Sequence, residues 1–422
     1  MLSCRVRAPV PTLRLLARPF DGFERALQRQ MDAFAEATGA DVTFERDHRP
    51  LPEIYEDLVT TGAVADGRYD LFLCLSDWLP AAVEADLLAP LAARLAADPP
   101  ADWPDGWAES VRGLLTYDDA VYGVPYHDGP EIFHYREDCF ESVAEQRAFR
   151  EAYGRPLSVP RTWAEFLEVA EFFTRPEEDF WGTVVAAKPD GHNDVYDFCI
   201  QLWSRGGRLL DDDGVPAFDS DAGLAALEFY HDLIHEHRVV PPESLSMESV
   251  EAGQCYADGK AAMMWNWSGF GAMAEAPDSA VFGRANYGLI PRADVPDGEH
   301  TSLTVVYGLT VPAGSEHPDL AYDFIRFAAS PAMDKVTTLE GASGTRLSTW
   351  RDPEVLRAGS FYSVLDAVNT GAVNTLPQVP EYAELNEVLN EMVAAAVVER
   401  TKSPAEALAD ADAAARELLG VE

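Results

Sequence analysis

Cysteine is scarce and scattered in this sequence, and that scarcity argues against two kinds of site. The five cysteines, an odd number, stand far apart and form no CxxC pair. Neither a disulfide scaffold nor a cysteine-rich zinc site is therefore expected. Cys74, Cys199 and Cys255 lie in apolar surroundings and are predicted to be small buried hydrophobic residues.

Long hydrophobic runs are missing as well. No stretch of about 18 apolar residues occurs, so no membrane-spanning helix is predicted. The first twenty residues contain neither the apolar core of a secretory signal nor a twin-arginine pair. As written, the chain is expected to be cytoplasmic. It would be extracellular or at the cell surface if a leader is missing from this sequence.

Positive charge is the third shortage. The chain has 32 basic residues against 72 acidic ones, a net charge of −40, and only four of the basic residues are lysines. Such a surface repels nucleic acid and anionic membranes, so binding to either is not expected. Because the acidic residues are spread over the whole chain, we interpret them as a solvated surface suited to high salt. The alternative is an acidic site for cationic ligands.

Motifs that would support catalysis, nucleotide binding or metal binding are also absent. The sequence has no P-loop, no strand-anchored GxGxxG, no GxSxG and no HExxH. His231 and His235 stand four residues apart on one predicted helix face, but no third metal ligand is identifiable. The acidic turn 211–213 lacks the glutamate that an EF-hand requires at its twelfth position. No cofactor, no metal and no enzyme activity are expected.

What is present is enough apolar sequence for a large globular protein. The 422 residues, 47% apolar, predict two or three domains with sizeable cores. Residues 117–138 organise the chain: the apolar run 121–126 is interrupted by Pro125, and a DGP turn separates it from a second run, 132–135. Proline within a strand indicates an edge or a crossing point. We interpret this stretch as the place where the chain leaves one domain for another.

Strand and helix patterns alternate at the start of the chain and predict an α/β sheet with ligands at the carboxyl ends of its strands. The predicted elements there are strands 12–18, 42–44 and 69–75 and helices 24–38, 52–59 and 80–85. Further along, the patterns predict helices 162–173, 195–203, 220–237, 317–330 and 331–339, strands 182–187 and 305–311, a helix and then a strand within 248–264, and a nearly continuous helix over 380–419.

Eight short motifs stand in an order that resembles the solute-binding proteins of ABC importers, in the sugar-recognising, maltose-binding-protein-like class. The motifs are YGVPY through YRED (122–138), PRTWAEFLEVAEFF (160–173), FDSDAGLAALEFYHDLI (218–234), YADGKAAMMWNWSGF (256–270), YGLIP (287–291), YGLTVPAGSEHPDLAYDFIRFAASP (307–331), GASGTRL (341–347) and KSPAEALADADAAARELL (402–419). Each motif is loose alone, and the specificity lies in their order. The chain departs from the family around Cys4, which lacks a lipid-anchor context, and over 346–380.

The resemblance implies a two-lobed periplasmic-binding-protein-like fold of type II. Each lobe would be a mixed sheet flanked by helices, and crossing hinge strands would join the lobes. Lobe one would comprise 10–125 and 307–347, and lobe two would comprise 126–306 and 348–422. The implied function is non-catalytic capture of a carbohydrate in an interlobe cleft and delivery to an ABC permease. The expected partners are a small-molecule ligand, a mono- or oligosaccharide, and the permease subunits; a monomer is expected.

Sugar sites combine flat aromatic rings with amides, carboxylates and arginines, and such residues stand at predicted strand ends. The candidate ligand contacts are Phe20, Asp21, Asp77, Trp78, Tyr126, His127, Asp128, Asn193, Trp265, Asn266, Trp267, Tyr307, Gly308 and Arg346, with Asp194 and Tyr196 as weaker candidates. The last of the main candidates, Arg346, rests on its resemblance to a family arginine that is often turned to the cleft. Three alternatives stay open: a cationic or peptide-like solute, a cytoplasmic sensor with the same fold, and a glycoside-active enzyme.

Overall fold

The structure is a computed structural model that describes residues 10–39 and 42–421, so Cys4 lies outside the described residues. The chain separates into two compact units. The first unit contains the described residues up to Asp128 together with Val306–Thr349, and the second contains Gly129–Val305 and the residues from Trp350 onward. Residues 126–128, expected in the second lobe, therefore belong to the first unit.

The described residues form thirteen strands and nineteen α-helices. In chain order the strands are β1 Thr12–Ala17, β2 Thr43–His48, β3 Leu71–Leu75, β4 Thr116–Tyr117, β5 Ala120–Val121, β6 Gly123–Asp128, β7 Glu131–Arg136, β8 Trp181–Thr183, β9 Ala261–Trp267, β10 Ala285–Gly288, β11 Ser302–Leu303, β12 Val306–Thr310 and β13 Val373–Asn374. The helices are α1 Asp21–Thr38, α2 Leu51–Tyr55, α3 Leu79–Glu84, α4 Ala92–Ala97, α5 Glu109–Gly113, α6 Glu137–Glu141, α7 Val143–Tyr153, α8 Trp163–Phe173, α9 Asn193–Ser204, α10 Asp221–His235, α11 Ser249–Ala257, α12 Gly271–Ala274, α13 Pro318–Ala328, α14 Pro331–Leu339, α15 Leu347–Trp350, α16 Pro353–Ala358, α17 Leu365–Gly371, α18 Tyr382–Val393 and α19 Pro404–Leu419. None of the described helices combines the length and the apolar character that a bilayer span requires.

The first unit is built on a five-stranded mixed sheet in the order β2-β1-β3-β12-β6. Strands β2 and β3 run parallel to β1, whereas β12 runs antiparallel to both β3 and β6. Strand β3 is almost wholly buried, as its continuous apolar run predicted. Strand β6 carries Pro125 and lies at the sheet edge, where the missing N–H removes no bond from a central ladder.

Helix α1 covers the sheet of the first unit and follows its sequence pattern closely. Its buried face carries the apolar side chains that the spacing predicted. The helix ends at Gly39, whose φ of 59° lies in the left-handed region that glycine tolerates best. It begins at Asp21, three residues before the predicted Glu24, because Phe20 is the last residue with an extended backbone before the helix.

The second unit is built on a four-stranded mixed sheet in the order β10-β7-β9-β8. Strand β7 pairs antiparallel with β9 and β10, and β8 pairs parallel with β9. Strand β8 stops at Thr183, earlier than predicted, because the chain beyond it bonds elsewhere. The backbone N–H of Ala187, for example, donates to the carbonyl oxygen of Ser244.

Local sequence signals set the helix ends in the second unit. The hydroxyl of Thr162 accepts from the backbone N–H of Glu165 and begins α8, as predicted. The Glu165 carboxylate reaches the N–H of Arg161, one residue before the position that a capping box requires. The predicted long terminal helix is interrupted: a π-helical turn, Ala394–Val398, follows α18, and α19 restarts with its own capping box at Ser403.

The three cysteines predicted to be buried, Cys74, Cys199 and Cys255, are buried free thiols. Cys199 belongs to the large apolar core of the second unit, and Cys255 to a smaller core between α11 and β9. Burial raises the pKa of the Cys255 thiol to about 11, so that it remains protonated and unreactive near neutral pH.

Candidate functional site

One edge of the first unit's sheet gathers most of the residues predicted there. The parallel strands β1 and β3 end at this edge, and the antiparallel strand β12 begins beside the end of β3. Phe20 follows β1, Asp77 and Trp78 follow β3, His127 lies near the end of β6, and Tyr307 lies at the start of β12. The sheet topology therefore brings together side chains that are far apart in the sequence. Phe20 and Tyr307, for example, are separated by 287 positions.

Phe23 is the centre of an aromatic group at this edge, although the sequence analysis did not select it. Its ring centroid lies 4.9 Å from that of Phe20, 5.1 Å from that of His127 and 5.4 Å from that of Tyr307. The Arg18 guanidinium donates to the Tyr307 hydroxyl at 3.2 Å. Burial lowers the pKa of His127 to about 4, so its imidazole is neutral at pH 7. The group offers aromatic surface and one cationic donor.

The turn after β3 adds polar groups to the same edge. Asp77 and Trp78 are both half-buried in a 3₁₀ turn. The Ser76 hydroxyl donates to Oδ1 of Asp77 at 3.1 Å and accepts from the backbone N–H of Val306. The Trp78 ring packs against the Tyr55 ring with centroids 5.7 Å apart. The carboxylate and the indole are thus held in place by neighbours within the unit.

Other candidates of the first unit are placed differently. Tyr126 is 2% exposed, and its hydroxyl donates to Oε1 of Gln30, so it belongs to the core. Gly308 packs against the Leu115 side chain, where an added Cβ would come within 2.5 Å of Leu115 Cδ1. Both residues therefore have structural roles that the sequence analysis did not anticipate. Asp21, by contrast, is exposed in the first turn of α1, and Asp128 is buried at the end of β6.

Arg346 also has a structural role, contrary to the expectation that its side chain faces a ligand. The residue is 1% exposed. Its guanidinium donates to the carbonyl oxygen of Ala329 at 2.9 Å and to Oδ2 of Asp102 at 2.9 Å, and its central carbon lies 4.2 Å from the centroid of the Trp107 ring. All these partners belong to the first unit. Arg346 ties its loops together instead of presenting a free donor.

Strand β9 of the second unit separates three neighbouring candidates. Trp265 is 3% exposed and packs against Trp163 and Phe166, with ring centroids 5.2 Å and 5.6 Å away. Asn266, on the opposite face of the strand, is 2% exposed, and its amide donates to the carbonyl oxygen of Ser249. Trp265 and Asn266 are therefore core residues, which corrects the prediction that all three strand-end side chains reach a ligand. Trp267 alone remains partly exposed.

Trp267 is fixed by a chain of hydrogen bonds. Its indole N–H donates to Oδ1 of Asn193 at 3.1 Å, and the Asn193 amide donates to Oε1 of Glu131 at 3.3 Å. Glu131 stands directly opposite Trp267 in the β7–β9 ladder, so the two side chains share one face of the sheet. The Tyr196 ring meets the Trp267 ring edge to face, with centroids 5.8 Å apart. The result is an indole of defined orientation beside an amide and a carboxyl group.

Buried carboxyl groups dominate the electrostatics of this part of the second unit. Burial raises the pKa of Asp194 to about 7. Burial also raises the pKa values of Glu131 and Asp197 well above the usual range, and the negative charge of Asp197 adds to the effect on Glu131. Near neutral pH, these groups can therefore act as hydrogen-bond donors as well as acceptors.

The sequence analysis missed Glu131 and Asp197, yet a signal for both was present. Glu131 is an acidic residue at the start of the largely buried strand β7, on the side-chain face that Phe133 shares. Asp197 lies in α9, whose residues are buried almost all round. An acidic residue at a position that the local pattern marks as buried is costly, and it therefore indicates a specific role.

No metal site is formed by the residues that the structure describes. Among residues 10–39 and 42–421, no group of three His, Cys, Asp or Glu side chains could hold a metal ion. The rings of His231 and His235 do lie close, with centroids 4.8 Å apart. Nδ1 of His231 is 2.9 Å from Oδ1 of Asp232, and Nε2 of His235 is 2.7 Å from the carbonyl oxygen of Val397. Ordinary protein partners therefore engage both side chains.

Comparison with known proteins places the chain in a family. Residues 21–335 match the family described as bacterial extracellular solute-binding proteins. The chain belongs to this family. A curated relative, the probable amino-acid ABC transporter periplasmic-binding protein y4oP of Sinorhizobium fredii (strain NBRC 101917 / NGR234), is 24% identical over 269 residues, 64% of this chain. The match spans 59% of the length of that relative.

Solved structures of solute-binding proteins share the fold over nearly the whole chain. Maltose-bound MalE3 of T. maritima is 23% identical with a TM-score of 0.82, covering 97% of this chain and 100% of that chain. An ABC transporter solute-binding protein of Agrobacterium radiobacter K84 in complex with ribitol is also 23% identical, with a TM-score of 0.81 and the same coverage. One from Agrobacterium vitis S4 with bound D-mannitol is 21% identical, with a TM-score of 0.77, covering 97% of this chain and 98% of that chain. These similarities confirm the predicted two-lobed α/β fold of periplasmic binding proteins.

Proposed function

We propose that this solute-binding protein captures a sugar or polyol without chemical change and delivers it to the permease of an ABC importer. The observation that carries the proposal is the fixed indole of Trp267, with Asn193 and Glu131 beside it. A partly exposed ring of defined orientation suits the C–H face of a sugar, and adjacent amide and carboxyl groups suit its hydroxyls. Structural relatives hold maltose, ribitol and D-mannitol.

The first unit holds a second group of candidate side chains. This group consists of Phe20, Asp77, Trp78, His127 and Tyr307, with Arg18 bonded to the Tyr307 hydroxyl. It repeats the composition of the second unit's group, in which aromatic rings stand next to hydrogen-bonding groups. We propose that contacts with the solute favour the ligand-bound conformation over the free one. The proposed location is extracellular or at the cell surface, and the proposed oligomeric state is a monomer.

A screen for thermal stabilisation tests this proposal. Purified protein in concentrated KCl is mixed with sugars, polyols, amino acids and polyamines. A solute present at 100 times its Kd should raise the free energy of unfolding by about 2.7 kcal/mol and therefore raise the Tm. Stabilisation by one or more sugars or polyols supports the proposal. Stabilisation by amino acids alone would favour the function named for the curated relative, y4oP.

A matched pair of variants shows whether stabilisation comes from the proposed residues. At the same solute concentration, Trp267→Ala should reduce the stabilisation from about 2.7 kcal/mol to about 1.4 kcal/mol or less. Trp103→Ala is the control, because Trp103 is also partly buried but belongs to the first unit, where it packs against Trp107. Equal loss of solute-dependent stabilisation in both variants would contradict the assignment of Trp267.

A further inference from the structure

Three carboxyl groups form an acidic group inside the second unit. Glu131 and Asp194 are fully buried, and Asp197 is 2% exposed. Glu131 comes from β7, whereas Asp194 and Asp197 lie three residues apart on α9 and so share one helix face. The charge of Asp197 influences the ionisation of Glu131, and that of Asp194 influences Asp197. The three groups therefore act on one another electrostatically.

The hydrogen bonds of this acidic group are incomplete. Oε1 of Glu131 accepts from Asn193, and Oδ1 of Asp194 accepts from the backbone N–H of His192 at 3.1 Å. Oε2 of Glu131 and Oδ2 of Asp194 are fully buried and have no hydrogen-bond partner. Oδ1 of Asp197 accepts from the indole N–H of Trp265 at 2.5 Å. Two buried carboxyl oxygens from two different elements thus lack a hydrogen-bond donor within the described residues.

No salt bridge of the described residues neutralises these carboxyl groups. Among the salt bridges formed within residues 10–39 and 42–421, none involves Glu131, Asp194 or Asp197. The exposed imidazole of His192 pairs with Asp190, and its charge acts on Asp194 only from a distance. Burying an ionised carboxylate without a counter-charge costs several kcal/mol. Protonation removes that cost, and so does a cation supplied by a ligand.

The position of Trp267 favours the second of these solutions, a cation supplied by a ligand. Its ring is partly exposed and stands across the ladder from Glu131. An indole face attracts cations, and the attraction strengthens when the site is desolvated. A ring face next to unpaired carboxyl oxygens is complementary to an ammonium group. It is less complementary to a neutral hydroxyl, which carries no positive charge to offset an ionised carboxylate.

We propose that Glu131, Asp194 and Asp197, with the ring of Trp267, recognise a protonated amino group, so that the solute is an aminated sugar or polyol. This assignment rests on the proposed function, because it supposes that a sugar-like solute reaches Trp267. It names the substrate class within that function. The ring and the amide of Asn193 position the carbon skeleton, and the acidic group selects for the positive charge.

Other titratable groups face the acidic group and bear on its pH dependence. They are Asp190 and His192 before α9, Cys199 on α9 and Tyr230 on α10. Burial raises the pKa values of Cys199 and Tyr230, so both stay neutral between pH 5 and pH 8. The hydrogen bond to Asp190 raises the pKa of His192 and lowers that of Asp190. Among the three carboxyl groups, Asp194 has its pKa near the upper end of this range, at about 7.

Calorimetric titration with matched ligand pairs tests the proposal. Each pair shares a skeleton: glucosamine and glucose, galactosamine and galactose, 1-amino-1-deoxysorbitol and sorbitol. At pH 7 in concentrated KCl, the amine of at least one pair should bind about tenfold or more tightly than its neutral partner. Its advantage should shrink about tenfold or more at pH 5, because protonation of Asp194 removes the counter-charge. The neutral partners should change little.

The outcomes separate this inference from the proposed function. Neutral members that bind as tightly as the amines would overturn the inference and leave the proposed function standing. Binding of spermidine, with no sugar or polyol bound, would support selection for an ammonium and overturn the carbohydrate part of the proposed function. Absence of binding by every compound to the folded protein would overturn both.

Two variants locate the selection. Glu131→Gln keeps an oxygen that can accept from Asn193 but removes the charge, so affinity for the amine should fall about tenfold or more, and by a larger factor than affinity for the neutral partner. Asp194→Asn should have the same effect. Glu243→Gln, an exposed change in the same unit, is the control and should alter neither affinity. Equal losses for amine and neutral ligands in both test variants, with unchanged circular dichroism, would overturn the proposal.

Discussion

Trp265 and Trp267 lie two residues apart on one face of β9, and both donate their indole N–H to helix α9. Trp265 donates to Asp197 and Trp267 to Asn193, one helical turn earlier. Only Trp267 keeps an exposed part of its ring, because Trp265 is enclosed by Trp163 and Phe166. Two similar residues therefore have different roles: one stabilises the second unit, and the other is available to a solute.

The roles of these tryptophans predict opposite effects of substitution. Trp265→Ala should destabilise the second unit by about 3 to 5 kcal/mol, because it removes a large buried ring and leaves a cavity. Trp267→Ala should leave the Tm much less changed but weaken solute binding by tenfold or more, roughly 1.4 kcal/mol. Thermal unfolding and calorimetric titration of the two variants measure the two effects. Reversed effects, with Trp265→Ala stable and deficient in binding, would contradict the assignment.

Asp334 is predicted to be a structural carboxylate of the first unit. It is 3% exposed and accepts from the backbone N–H groups of Thr345 and Arg346 and from the Thr349 hydroxyl. Asp334→Ala should cost about 2 to 4 kcal/mol, because it leaves these buried donors without an acceptor. Asp319→Ala, which removes an exposed ion pair with Arg94, is the control and should cost about 1 kcal/mol or less. Equal Tm values for the two variants would be inconsistent with this network.

The sequence predicted the fold well because its signals are local or ordered. The apolar run of β3, the Gly39 helix end and the Thr162 cap each act within a few residues. The motif order identified the family without requiring any distance. The π-helical turn after α18 was not predictable, because the apolar pattern continues through it. Tertiary contacts, more than local propensity, decide where such a helix changes its pitch.

The candidate residues were predicted less well than the fold. Strand-end position selected Asp77 and Trp78 in the first unit and Trp267 in the second, and all three are partly exposed where their strands end. It could not show that Trp265 and Asn266 turn into cores on opposite faces of β9, nor that Arg346 is engaged by Asp102 and Ala329. Those outcomes depend on partners that are distant in sequence. Whether the partly exposed candidates contact a solute stays a prediction.

The stability of the free protein should depend on pH through Asp194. Burial raises its pKa to about 7, whereas the pKa of an aspartate in the unfolded chain is about 3.9. Between these values the folded state binds a proton that the unfolded state has released. The stabilisation is therefore fully present below about pH 4 and is lost as the pH rises through about 7.

The Asp194→Asn variant isolates this contribution. The Tm of the unmodified chain should fall more steeply between pH 5 and pH 7.5 than that of the variant, with both measured in the same concentrated KCl. Acidic groups elsewhere contribute equally to the two proteins, so the difference in slope belongs to Asp194. Parallel slopes would contradict a raised pKa for this carboxyl group.

Salt should stabilise the chain as a whole. The excess acidic side chains, which give a net charge of −40, repel one another. The Debye length falls from about 10 Å at 0.1 M salt to about 3 Å at 1 M, so salt screens this repulsion. The Tm should therefore rise steadily between 0.1 M and 2 M KCl. Trimethylamine N-oxide at matched osmolality is the control, because it does not screen charge and is neither a sugar nor a polyol. A Tm that rises with this osmolyte as much as with KCl would contradict an electrostatic origin.

The most direct test of solute capture is calorimetric titration of the purified chain with sugars, polyols and their amines in concentrated KCl, followed by recovery of the ligand. The account predicts saturable one-to-one binding of at least one such compound. It also predicts that the ligand is recovered chemically intact and that Trp267→Ala weakens the binding by about tenfold or more. No binding by the folded protein, or recovery of a cleaved product, would contradict the account.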